Sequence, residues 1–236
     1  VGDTIVTDFR RFDWRWAREL PRQMGWGDLT SNMLFVGMAG HVTPAHFDEQ
    51  QNLLAQLHGR KRVVLWRPRD WACLYPFPVG HPNDRQSQVD FRSEPSVNAA
   101  RWPRFAEAAP LECVLHPGDV LYIPQFYWHH VENLDDECVS VNFWYIDTEV
   151  PGGSRPPLPL GEVHNVALRR NVERLIGQAV GAEKVHAALR ELGSGKPESA
   201  EAKSAAATVR KLLGVIFSDD EVAEDWVREL TAHRFW

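Results

Sequence analysis

Three side chains from two distant stretches of the chain have the types and spacing to hold one metal ion. His46-Phe47-Asp48 opens an apolar run. In an extended strand residues i and i+2 point to the same face, so the imidazole and the carboxylate can converge while Phe47 points away. His129 offers a third ligand, after the turn and strand Pro117-Gly118-Asp119-Val120-Leu121-Tyr122-Ile123-Pro124 and the aromatic segment Phe126-Tyr127-Trp128. Two imidazoles and one carboxylate on one face of an octahedron leave three positions open, the arrangement that non-haem Fe(II) oxygenases use. An H-x-D triplet is a weak motif by itself in a chain rich in His and Asp. The P-G-D-x-x-x-x-P turn and the Trp128-His129-His130 ending at the expected distance give it weight. His130 has the opposite strand parity and reads as a packing or hydrogen-bonding residue.

An iron site of this kind that uses O2 and 2-oxoglutarate needs a buried cation for the remote carboxylate of that cosubstrate. No Lys or Arg occurs between His129 and Arg155, so the cation must come from another strand. Lys61, which opens the run Lys61-Arg62-Val63-Val64-Leu65-Trp66 after Gly59, is the candidate. Taken alone it would be a solvated strand-edge lysine. Thr43, Asn52 and Asn142 are neutral polar residues in or beside apolar strands, where burial demands partners that carboxylate oxygens can supply.

The elements that must position these residues are legible as short β-branched and aromatic runs between Ile5 and about Tyr145, divided by Gly, Pro, Asn and Asp. That pattern predicts an antiparallel sandwich or barrel with strands over Asn32–Met38, His46–Leu57, Lys61–Arg67, Glu112–Leu115, Val120–Ile123, His129–Glu132 and Val139–Tyr145. The polar stretch from Pro76 to Pro110 has little periodicity and reads as a long functional insertion. After Pro151-Gly152-Gly153 the character turns helical, with Val166, Leu168, Val172, Leu175 and Ile176 tracing an apolar stripe. A linker is expected from Gly193 to Ala202, then helices over about Ala205–Ile216 and Asp219–Arg234 with Ser218 as N-cap. The division is thus a β catalytic core over 1–150 and a helical unit over 151–236. Its helices must pack on the barrel or on another subunit.

Composition narrows the partners. With 44% hydrophobic and 25% charged residues in 236, the chain suits one full core, and no apolar run approaches a membrane span. The net charge of −6 argues against nucleic acid or anionic membrane as a partner and leaves proteins or small molecules. Three scattered cysteines, Cys73, Cys113 and Cys138, form no C-x-x-C pair and suit a reducing compartment. The expectation is cytoplasmic, and also nuclear in a eukaryote. A start at Val1 with no signal-peptide pattern suggests that a segment precedes it.

Together Thr43-Pro44-Ala45-His46-Phe47-Asp48-Glu49-Gln50-Gln51-Asn52, Asp84-Arg85-Gln86-Ser87-Gln88-Val89-Asp90-Phe91, Pro117–Pro124, Trp128-His129-His130 and Val141-Asn142-Phe143-Trp144-Tyr145 resemble the JmjC and cupin-like oxygenases. Within them the likeness is to the asparaginyl hydroxylases of the factor-inhibiting-HIF type, from about Val1 to Leu192. Ser194–Trp236 has no counterpart. The resemblance implies a mainly β, double-stranded β-helix (jelly-roll) barrel with C-terminal helices and iron on His46, Asp48 and His129. It implies 2-oxoglutarate on Lys61, Thr43, Asn52 and Asn142, with a further tyrosine contact upstream of Val1. It also implies that Arg85 and Gln86 hold the carboxamide of a target asparagine, in an ankyrin-repeat or HIF-like polypeptide, while Trp144 lines the substrate side. A homodimer through the C-terminal helices is implied as well. The alternatives weighed beside it are a JmjC-type hydroxylase or demethylase of another residue and a cupin-like binding protein without catalysis.

Overall fold

A computed structural model describes residues 14–146, 158–217, 220–231 and 234. Eight strands build two antiparallel sheets: β1 (Leu29–Gly37), β2 (Val42–Phe47), β3 (Gln51–His58), β4 (Lys61–Trp66), β5 (Leu111–Leu115), β6 (Val120–Ile123), β7 (Trp128–Asn133) and β8 (Cys138–Tyr145). One sheet has the order β1-β8-β3-β6 and the other β2-β7-β4-β5. Consecutive strands therefore repeatedly change sheets, which is the connectivity of a jelly-roll or cupin barrel.

Between the sheets lies an apolar layer of Leu54, Val63, Leu65, Leu115, Ile123 and Val131. The residues of alternate parity face outward. Leu53, Phe143 and Tyr145 pack under helix α1 (Trp14–Gln23), where the Tyr145 hydroxyl donates to the Ala17 carbonyl at 2.8 Å. Phe47, Val64, Trp66 and Trp128, on the back of the second sheet, join the largest cluster. The helices α3 (Glu162–Val180), α4 (Val185–Gly193), α5 (Ala200–Ile216) and α6 (Asp220–Thr231) complete that cluster through Val166, Val172, Ile176, Leu189, Leu213 and Leu230. Val166, Val172 and Ile176 of the α3 stripe are thus buried within their own chain, while Leu168 and Leu175 are half-buried. No helix among the described residues is long and apolar enough to cross a membrane.

Three expectations need correction. The run read as one strand over His46–Leu57 is two strands in different sheets, broken at Asp48-Glu49-Gln50. The break is held by distant residues: Phe126 N–H donates to the Asp48 carbonyl at 2.8 Å, and the Gln125 side-chain amide donates to the Glu49 carbonyl at 2.9 Å. The insertion is not a plain loop. It contains helix α2 (Pro95–Arg101) and buries Val89 and Trp102 in one cluster with Tyr75, the residue just before it. The linker is shorter than expected, because α5 begins at Ala200, where the Ser199 hydroxyl accepts from Ala202 N–H at 3.0 Å. Ser218, Asp219 and the Pro151–Gly153 boundary lie outside the described residues.

Candidate metal centre

Strand register explains why the candidate residues meet. His46 of β2 is paired directly with His129 of β7, and Thr43 with Val131, through an irregularity between Thr43 and His46 that gives both side chains the same face. On the other side of β7, Leu65 pairs with His129, Val63 with Val131 and Lys61 with Asn133. Thr43, His46, Lys61 and His129 therefore share the face that carries the inner core residues Val63, Leu65 and Val131. In the opposite sheet Asn52 pairs with Trp144 and Leu54 with Asn142, so Asn52, Asn142 and Trp144 point inward with Leu54. Asp48 lies just beyond the end of β2, in the turn that carries the chain from one sheet to the other. The i, i+2 strand argument for His46 and Asp48 thus names a pair that the structure does bring together, but the turn, not the pleat, aims the carboxylate.

Ligand atoms of His46, Asp48 and His129 all lie within 4.8 Å of one another. The imidazole Nε2 of His46 is 4.0 Å from Asp48 Oδ1, and that of His129 is 3.7 Å from Asp48 Oδ2. Each ring has its other nitrogen committed: His46 Nδ1 lies 2.9 Å from the Pro44 carbonyl and His129 Nδ1 3.1 Å from the Tyr127 carbonyl. A carbonyl only accepts, so both Nδ1 atoms carry the proton and both Nε2 lone pairs are presented to the common point. Asp48, 9% exposed, accepts at Oδ2 from Trp144 Nε1 (2.8 Å) and Asn52 Nδ2 (3.3 Å), and Asn142 Nδ2 in turn donates to Asn52 Oδ1 at 3.1 Å.

Electrostatics fit a cation at that point. Burial works against the Asp48 charge, but His129, His46, the Trp144 N–H and Arg85 outweigh it and hold the carboxyl below its ordinary range. Burial, reinforced by His46, pushes His129 down to about 3, so it is a neutral, metal-competent imidazole at neutral pH. The donor set of two nitrogens and one carboxylate, all oriented by neighbours, suits a divalent transition metal.

Lys61 is only 6% exposed, its ammonium 5.8 Å from the Phe35 ring centroid. Among the described residues no carboxylate pairs with it, and burial lowers its pKa, opposed in part by Cys138. A cavity of about 490 Å³ is lined by Lys61 and Thr43 together with Phe35, His41, Arg92 and Asn133. A buried unpaired cation at its wall calls for an anionic ligand.

The insertion contributes from the side. Ser87 N–H donates to the Ala45 carbonyl (2.8 Å) and Phe47 N–H to the Arg85 carbonyl (3.2 Å), so the Arg85–Ser87 backbone runs alongside β2 and Gln86 bridges His46. Arg85 adopts φ +70° and sets its guanidinium 3.7 Å from Asp48 Oδ1. His130 faces away from the centre and stacks on Phe91 at 4.9 Å. Sequence reasoning missed Arg92 and His41 on the cavity wall and Arg170 behind the site. An arginine inside a helix pattern carries no local sign that it is buried.

A cupin barrel holding a His–Asp–His cluster at one end, with a buried lysine on the same sheet, defines the class. The model of the Cupin-like domain matches residues 4–149, and the chain belongs to that family. Among known proteins it is 43% identical over 118 residues to lysine-specific demethylase 8 of Xenopus tropicalis, covering 50% of this chain and 25% of that protein. It is 37% identical over 112 residues to HSPB1-associated protein 1 of Homo sapiens, covering 47% and 22%. It is 35% identical over 122 residues to lysine-specific demethylase JMJ30 of Arabidopsis thaliana, covering 52% and 27%. The chain thus matches about a quarter of each relative's length. The likeness supports a cupin-like, JmjC-type domain, and none of the three relatives bears the name of an asparaginyl hydroxylase.

Proposed function

We propose that this chain is an oxygenase domain that uses Fe(II), 2-oxoglutarate and O2 to oxidise a C–H bond on a protein side chain. The observation that carries the proposal is the convergence of His46, Asp48 and His129 at one end of an inner sheet face that also holds Lys61, a buried cation with no carboxylate partner among the described residues. His46, Asp48 and His129 would hold the iron. Lys61 and Thr43 would take the remote carboxylate of the cosubstrate, and Asn52 and Asn142 would order the acid end beside Asp48. Bound iron would supply oxidising power from O2, with 2-oxoglutarate giving up CO2 and leaving as succinate. The protein itself orients the target bond and shields the site, because such chemistry depends on placement rather than on a protein acid or base.

The finer reading is removal of a methyl group from a lysine side chain, which the names of two of the relatives favour. Asparagine β-hydroxylation in an ankyrin-repeat or HIF-like target is the second reading, and it rests on the Asp84–Phe91 string with Arg85 and Gln86 at the site mouth. A homodimer through the C-terminal helices and a cytoplasmic or nuclear setting remain part of the proposal, supported by the resemblance and the cysteine usage alone. The test is turnover of the purified protein with Fe(II) and 2-oxoglutarate on methyl-lysine peptides and on ankyrin-type asparagine peptides. Formaldehyde release marks demethylation, and a stable gain of one oxygen marks hydroxylation. Absence of peptide-stimulated succinate with either set would remove the oxygenase reading.

A further inference from the structure

Arg170 sits in α3, on the helical unit, yet its side chain bonds residues that support the metal centre. It is 5% exposed. Its Nε donates to Glu49 Oε1 at 2.5 Å, and its two terminal nitrogens donate to the two oxygens of Asp84 at 2.8 and 3.0 Å. Its guanidinium also lies over the Phe47 ring, 5.3 Å from the centroid. Phe47 and Glu49 flank Asp48, and Asp84 precedes Arg85, whose guanidinium returns to Asp48 Oδ1 at 3.7 Å. The contacts close a circuit: Arg170, Glu49, Asp48, Arg85, Asp84 and back to Arg170.

Neither arm of this circuit is held by the sheets alone. Asp48 stands beyond the last residue of β2, and Arg85 belongs to the insertion in a left-handed conformation that a bulky side chain rarely adopts. Burying a guanidinium is costly, and an apolar residue of similar size would pack there at less expense in desolvation. A planar fork with fixed donor directions fits two carboxylates at a set separation, which an ammonium cannot do. Arg174, bonded to the same Glu49 oxygen at 2.7 Å, backs one arm only.

We propose that Arg170 is a positioning residue that fixes the separation between the metal-binding carboxylate of Asp48 and the mouth residue Arg85, tying substrate placement to the metal centre. This rests on the oxygenase reading above. The two arms are separable, so the test uses variants that cut one or both, on the full chain. Co(II) binding is followed by its visible absorption, peptide KM and kcat are measured separately with Fe(II), and melting is followed by circular dichroism.

Arg170→Gln is expected to weaken Co(II) binding about tenfold, the size seen when a supporting residue of a metal ligand is lost, and to raise peptide KM. Asp84→Asn is expected to raise peptide KM and leave Co(II) affinity at the wild-type value. Arg170→Lys keeps the charge and is expected to restore melting more than KM. Wild-type Co(II) affinity and wild-type KM in folded Arg170→Gln, with only its melting temperature lowered, would overturn the proposal. Should the wild type bind Co(II) yet turn over no peptide, the oxygenase reading fails while the Co(II) arm still decides the clamp. A wild type that binds no Co(II) overturns both.

Discussion

Trp144 donates its indole N–H to Asp48 Oδ2 at 2.8 Å, linking the inner face of one sheet to the carboxylate that leaves the other. Asn52 bonds the same oxygen at 3.3 Å, so Oδ2 is engaged and Oδ1 is turned toward His46 and Arg85. Trp144→Phe keeps an aromatic ring, though a smaller one, and deletes the donor. It is expected to weaken Fe(II) or Co(II) binding by roughly 10- to 100-fold while the fold persists. Metal titration of the variant beside the wild type, with near-ultraviolet circular dichroism as the control, decides it.

Lys61 gives a prediction in which stability and binding move in opposite directions. Lys61→Met removes a buried cation that has no carboxylate partner among the described residues. The ligand-free protein is expected to hold or gain stability, on the order of 1 kcal/mol, because an unpaired buried charge is replaced by an apolar chain of similar length. Binding of 2-oxoglutarate, read by calorimetry, is expected to be lost. A variant that melts lower and still binds the cosubstrate would contradict both halves.

Acid should loosen the metal-free protein early. An unfolded histidine takes up its proton near 6.5, whereas in the fold burial and His46 keep His129 neutral down to about 3. Across that window the unfolded chain binds more protons, so stability rises with pH and is lost as pH falls from 6.5 toward 3. Asp48, held below its ordinary range, adds a loss of the same sign at the acid end. Melting of the apo protein is expected to drop between about pH 7 and about pH 5, and His129→Gln to flatten that slope. A pH-independent melting curve in the wild type would refute it.

How far the sequence disclosed this site depends on where each constraint comes from. His46, Asp48 and His129 could be picked out from their spacing and the turn motif between them, and Lys61 from the lack of any cation between His129 and Arg155, because these are properties of the text itself. The break at Asp48–Gln50 could not, because Gln125, Phe126 and Arg170, all remote in sequence, impose it on a stretch whose apolar residues continue on both sides. The insertion looked like loop because α2 is too short to show a helical period, and Tyr75 and Trp102 are buried by each other at 4.8 Å. Helix α1 escaped for a similar reason: ten residues with Pro21 inside give a poor helix signal, and its place is set by the outer face of the first sheet.

Gly59 is the tightest backbone position before the lysine. It has φ +66°, and an added Cβ would lie 2.1 Å from the Glu137 carbonyl and 2.9 Å from Cys138 Sγ. Gly59→Ala is therefore expected to cost roughly 3 kcal/mol or more, since neither the strain nor a backbone clash can relax locally. Chemical denaturation measures this directly, and a cost under about 1 kcal/mol would show that the turn can move.

The metal ligands do not belong to one leaf of the barrel. His46 and His129 come from the second sheet, while Asp48 is gripped by Asn52 and Trp144 of the first. An ion seated there would add a clasp across the two leaves to the hydrogen bonds by which Trp144 and Asn52 already join them, stitching the rim of the barrel at a second point.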